Sequence, residues 1–173
     1  MPTALTRIIF SLLLLLPLAA TAGEANDFAA ANASKQAKLL QGWAAAPTIE
    51  RMPLLQALQQ GRVASDADKR AFIDQDGTWQ AAIGEGEANG TPRKLRLNNR
   101  LRGLIGVAVA SHQLLDDAAA VRLEAARQLQ RNTPPTLLPL LESRLSIEAD
   151  DAVQDAITLV AGLGVEGDGH AGA

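Results

Sequence analysis

Apolar residues recur at three- and four-residue steps along most of this chain, and much of the apolar fraction is alanine and leucine. That spacing puts apolar side chains on one stripe of a helix. Alanine and leucine favour helix, whereas strands favour β-branched and aromatic residues. Aromatics are only 3% of the chain, while 47% is hydrophobic, so a core can be built, and built from helices. The expected fold is mainly α: a HEAT-like helical repeat or an irregular helical bundle, with one small β-hairpin. The 173 residues suffice for one domain. A net charge of −3 and a pI near 5.4 give no electrostatic reason to expect nucleic acid as a partner. No cysteine is present, which excludes disulfides, thiolate metal sites and cysteine nucleophiles.

The first 22 residues read as an export signal. Arg7 supplies a positive charge, residues 8–16 are almost wholly apolar, and Ala20-Thr21-Ala22 suits signal peptidase. Cleavage before Gly23 would leave a chain of net charge −4. The apolar run is short for a membrane span, which needs about 20 residues. An uncleaved signal anchor is the alternative. No later segment is apolar for long enough to cross a bilayer, so the mature chain is expected to have no membrane span. Absence of cysteine suits a bacterial periplasm.

Residues 23–163 form the expected helical domain. Glu24–Ala46 reads as one helix, with Phe28, Leu39, Leu40 and Trp43 on its apolar face, ended by Pro47. A second runs from about Thr48, as cap, to Gln60, with Leu54, Leu55 and Leu58 inward and Gly61 after it. Residues 71–97 interrupt the helices. Asp74-Gln75-Asp76-Gly77 is a turn signal, and Lys94-Leu95-Arg96-Leu97 alternates polar and apolar. The hairpin arms are expected near Ala71–Ile73 or Thr78–Ala82, and near Arg93–Leu97. Asn98 and Asn99 suit the cap of a helix over 100–112 bearing Leu101, Ile105, Ala108 and His112. Asp116 and Asp117 precede a helix over 119–129, where Val121, Ala125 and Leu129 recur. Pro134 and Pro135 open the next, to about Ile147. Asp150 and Asp151 cap the last, which Gly162 and Gly164 are expected to end. Residues 164–173 read as a disordered, Gly-rich tail.

Two internal echoes support stacked helix pairs. Met52-Pro53-Leu54-Leu55 resembles Leu138-Pro139-Leu140-Leu141, and residues 117–122 resemble 150–154. Such units bury their apolar stripes only by stacking on one another.

Candidate chemistry is sparse. Gly162-Leu163-Gly164-Val165-Glu166-Gly167 matches G-x-G-x-x-G in form, but a dinucleotide site needs a strand before it and a helix after it. Ser111 and His112 are adjacent, so on a helix they point about 100° apart, and no third group is evident. Asp74, Asp76, Glu85 and Glu87 surround Gly-rich turns without the ligand order of a calcium loop. Arg93, Lys94, Arg96, Arg100 and Arg102 form the local basic run: a solvated face, or a docking patch for an acidic partner or lipid headgroups. No catalytic residue, cofactor or metal site is assigned, and the chain is expected not to be an enzyme.

Five segments appear together in a telling order: Leu39-Leu40-Gln41-Gly42-Trp43, residues 53–61, Asp76-Gly77-Thr78-Trp79, residues 97–102 and residues 121–126. With the export signal ahead of them, they resemble the N-terminal extension of a bacterial urea ABC transporter permease subunit, in the branched-chain amino acid permease family. The resemblance spans roughly residues 1–160. It implies a periplasmic, non-catalytic domain ahead of the membrane-spanning permease, acting in urea transport by contact with the permease and the binding protein. Such a domain is inner-membrane associated when the full permease is made. No transport residue carries over, because the family's pathway lies in transmembrane helices. The tail departs from the expected continuation, as in a truncated or frameshifted reading frame. The alternative is a free-standing periplasmic α-repeat scaffold unrelated to transport.

Overall fold

The computed structural model describes residues 18–166 apart from residues 83, 85 and 132. Residues 1–17 of the expected signal and 167–173 of the expected tail lie outside the described residues. Among the described residues there are seven α-helices and one four-stranded antiparallel sheet. The chain is therefore mainly helical with a small β element, as the Ala/Leu pattern predicts. It divides into two compact units, each built from two separated segments. The described residues up to Asn32 join Gln60–Arg96 in a sheet unit, and Ala33–Gln59 join the residues from Leu97 onward in a helical unit.

The sheet unit contains helix α1 (Leu18–Ala30) and strands β1 (Val63–Ser65), β2 (Ala71–Gln75), β3 (Thr78–Ala81) and β4 (Arg93–Lys94), in the order β3-β2-β1-β4. Strands β2 and β3 form a tight hairpin in which Asp74 faces Trp79. Its two turn residues, Asp76 and Gly77, have φ of 52° and 88°. Two successive positive φ values match the twist of the flanking strands, which is why Asp-Gly serves there. Asp74 Oδ1 accepts the Gly77 N–H at 2.9 Å and closes the turn. The sequence leaves open which of two segments is the first arm. Both are strands, and they pair with each other. The Arg93 segment pairs instead with β1, Ala64 opposite Lys94, a strand the sequence reading misses. Helix α1 packs on β1 and β2, and Asn26 Oδ1 takes the Ala71 N–H at 2.7 Å. Phe28, Phe72 and Ala64 are fully buried in this unit.

The helical unit contains α2 (Ala33–Ala45), a 3-10 turn (Ile49–Arg51), α3 (Met52–Gln59), α4 (Asn99–Gln113), α5 (Ala119–Leu129), a second 3-10 turn (Pro135–Leu137), α6 (Leu138–Leu145) and α7 (Asp151–Glu166). Helix α4 packs on α2, α3 and α5, and α7 packs on α5 and α6. Leu40, Leu55, Leu58, Leu101, Ile105 and Ile157 are among its fully buried side chains. Each contributes roughly 1.5–3 kcal/mol by leaving water. Two caps hold as expected: Asn98 Oδ1 accepts the Leu101 N–H at 2.9 Å, and Asp150 Oδ1 accepts the Val153 N–H at 3.1 Å.

Several expectations are corrected. The helix read over 24–46 is two helices, with Ala31 and Asn32 between them. Asparagine competes with the helical backbone for hydrogen bonds and favours helix starts over interiors. Thr48 is extended but makes no side-chain cap bond, because a 3-10 turn precedes α3. Pro53 is then accommodated in the first turn of α3. Gly162 and Gly164 do not end the last helix, which runs through Glu166 and takes in the first residues of the expected tail. A glycine inside a helix costs about 1 kcal/mol relative to alanine, too little to stop it alone.

Candidate functional site

The buried charges show what the polar side chains are used for. Glu148 follows α6, with its side chain 1% exposed. Arg122 of α5 grips it with two bonds, Nε to Oε2 at 2.8 Å and Nη2 to Oε1 at 2.6 Å. The same guanidinium donates from Nη1 to the Asp116 and Asp117 carbonyls at 2.9 and 2.8 Å. Oε1 of Glu148 also accepts the N–H groups of Ala149 and Asp150. The Arg122 bond holds the Glu148 carboxyl down at about 2, against the opposing effect of its burial. Glu148 in turn raises the Arg122 guanidinium above its ordinary value. One arginine thus ties the α4–α5 connection to the loop before α7. Sequence reading finds Arg122 in the repeat echo but not its partner, which lies 26 residues away.

Ser111 and His112 lie on the buried side of α4. The Ser111 hydroxyl donates to the Ala108 carbonyl at 2.9 Å. His112 Nδ1 lies 2.7 Å from that same oxygen, so it carries the proton and donates there as well. Both side chains thus bond back to the helix instead of forming a nucleophile–base pair. Nε2 of His112 faces Arg51 Nη1 at 3.2 Å and, in that tautomer, accepts from it. Arg51 Nη1 also donates to the Ala46 carbonyl at 3.0 Å, and its guanidinium lies 5.5 Å from the Trp43 ring centroid. A cavity of about 190 Å³ opens beside this cluster, lined by Ile49, Met52, His112, Leu115, Asp116 and Asp117. The sequence singles out His112 but gives no sign of Arg51, which reaches it across 61 residues.

In the sheet unit, one acidic candidate, Asp74, is paired with one basic candidate, Lys94. A cleft of about 570 Å³ at the hairpin turn is lined by Gln60, Arg62, Asp74, Gln75, Asp76 and Gly77. Arg62 donates to the Asp74 carbonyl at 2.9 Å, and Lys94 Nζ sits 3.7 Å from Asp74 Oδ2 and 6.0 Å from the Trp79 centroid. Two cations against Asp74 oppose a bound metal ion. Glu87 contributes its carbonyl to Arg70 at 2.7 Å, and Glu85 lies outside the described residues. Among the described residues no group of three or more histidines and carboxylates could hold a metal ion.

The expected basic run is divided. Arg93, Lys94 and Arg96 belong to the sheet unit, and Arg100 and Arg102 to the helical unit, all exposed. Gly162 and Gly164 of the glycine motif lie inside α7, with helix rather than strand before them; Gly167 lies outside the described residues. The geometry needed for a phosphate-cradling turn is therefore absent at those two glycines.

Asp66 and its loop are missed by the sequence reading. The Asp66 side chain is fully buried, and Oδ1 accepts the N–H groups of Asp68 and Arg70 at 3.0 and 2.9 Å. Oδ2 accepts Arg70 Nε at 3.0 Å and the Asn89 N–H at 3.1 Å. Burial works to raise this carboxyl, but the bonds from Asn89 and Arg70 together outweigh it and lower it. The available signal is local: an aspartate two residues before a potential turn N–H donor.

Among the described residues no helix is long and apolar enough to cross a membrane. The chain matches no family model, no curated protein and no solved structure.

Proposed function

We propose that this chain is a non-catalytic, periplasmic protein-contact module of a urea-type ABC importer, corresponding to the N-terminal part of its permease subunit. The observation that carries the non-catalytic reading is the use of the helical unit's buried ionisable groups. Arg122 and Glu148 satisfy each other across a turn, and Arg51 and His112 bond each other and nearby carbonyls. Groups committed in this way position backbone and are poorly placed to transfer protons to a substrate. Serial packing of α2, α4, α5 and α7 supports a contact role, since helix arrays of this kind bind through their surfaces. The importer assignment rests on the ordered segments between residues 39 and 126 that resemble the permease extension.

The test is affinity purification of the tagged full chain from membranes of a bacterium expressing a urea-type importer. Recovery of the permease or the binding protein, lost when the helical unit is disrupted by Leu101→Asp, supports the proposal. Recovery of neither subunit after cross-linking rejects the importer reading and favours an independent scaffold.

A further inference from the structure

We infer that the sheet unit carries an oxyanion-binding site, suited to a small polar ligand bearing a phosphate or carboxylate group. A cavity of about 380 Å³ lies between the 66–70 loop and the 89–93 segment, with Ser65, Asp66, Lys69, Asn89, Thr91 and Arg93 among the residues that line it. That volume falls in the range of small-molecule sites.

The charge inventory sets the sign of the ligand. Asp66 is spent: both its oxygens are taken by backbone N–H groups and by Arg70, whose Nη2 lies 2.8 Å from Oδ2. The Asp68 carboxylate accepts from Asn89 Nδ2 at 2.9 Å. Among the described residues, neither Lys69 nor Arg93 has an acidic partner, and the Ser65 and Thr91 hydroxyls have no hydrogen-bond partner. Two unpaired cations therefore face the cavity beside an acid already occupied, and the two hydroxyls can turn their hydrogens inward, which is the complement of an oxyanion.

The walls are also held in place before any ligand arrives. Asn89 is bonded to the 66–70 loop three times, through its N–H to Asp66, its carbonyl from the Ala67 N–H at 3.2 Å, and its side chain to Asp68. Lys69 has a φ of 66°, a left-handed conformation that a side-chain-bearing residue adopts at a cost. The Lys69 N–H bond to the Asp66 carbonyl at 3.2 Å, and the neighbouring Arg70 N–H bond to Asp66 Oδ1, keep it there. The backbone that carries the donors is thus set beforehand, and binding has to order only their side chains.

The experiment is a titration of the full chain with inorganic phosphate at constant ionic strength, followed by amide NMR. Saturable shifts centred on Ser65, Lys69, Asn89–Thr91 and Arg93, absent with chloride, are expected. Replacing both cations, Lys69→Gln with Arg93→Gln, should weaken binding by about tenfold or more, since two charge-assisted bonds are lost. Lys94→Gln, whose side chain is engaged by Asp74, should change it by less than about twofold. The same spectra report whether each variant keeps the sheet. Non-saturating shifts, equal shifts with chloride, or undiminished binding in the double variant would each overturn the inference.

Discussion

Each unit buries a carboxylate beside an arginine, yet the two pairs are made differently. Glu148 depends on a side chain: Arg122, itself only 13% exposed, grips both its oxygens. Asp66 depends on main chain: three backbone N–H groups converge on it, and its Arg70 partner is 41% exposed. An ion pair sealed on both sides is held by its geometry and is costly to break. A carboxylate dressed by backbone donors instead sets the path of a loop. The helical unit uses its acid to join distant turns, and the sheet unit uses its acid to shape a cavity wall.

The comparison is broken most severely at Arg122. Arg122→Ala removes the two-bond grip on Glu148, leaving it only Arg144 Nη2 at 3.9 Å and two backbone N–H groups, and should cost about 3 kcal/mol, read from urea unfolding followed by circular dichroism. Acid sharpens the same point. Because Arg122 holds Glu148 at about 2, well below its ordinary 4.5, the stabilisation is complete above pH 4.5 and is lost as pH falls toward 2. Glu148→Gln should remove that part of the acid limb; an unchanged limb would show that other carboxylates govern it. Asp66→Ala should have a smaller effect on stability than Arg122→Ala, with loss of amide protection at Asp68, Arg70 and Asn89 as its mark. Asn98→Ala, which removes only a cap bond to Leu101, should cost about 1 kcal/mol. Lys69→Gly should be smallest, within about 0.5 kcal/mol, since relief of the left-handed strain offsets the added freedom of the unfolded chain. It should nevertheless weaken phosphate binding, which separates the cavity's stability from its chemistry.

What could be read from the sequence was local. The Asn98 and Asp150 caps, the helix over 119–129 and the Asp76-Gly77 turn each depend on residues within a few positions of one another. What could not be read was mostly distant. Strand β1 is three residues long, and its pairing with β4 joins Ala64 to Lys94 with the whole β2–β3 hairpin between them, so no local alternation reveals it. Arg122–Glu148, Arg51–His112 and the Asp66–Asn89 stitch all depend on where the chain returns in space. The break at Ala31 and Asn32 was obscured for a different reason. Alanine fills both flanks, and an Ala-rich run carries little record of where one apolar face stops and the next begins.

The interleaving of the two units also matters while the protein is being made. Helix α2 emerges early, but α4, which covers it, is translated more than 50 residues later. Likewise, β1 waits for β4, so neither unit can close before the residues of β4 and α4 have left the ribosome. At about 5–20 residues per second, α2 spends seconds with Leu40 and Trp43 uncovered. A nascent chain in that condition needs either a chaperone or rapid delivery to the place where it folds.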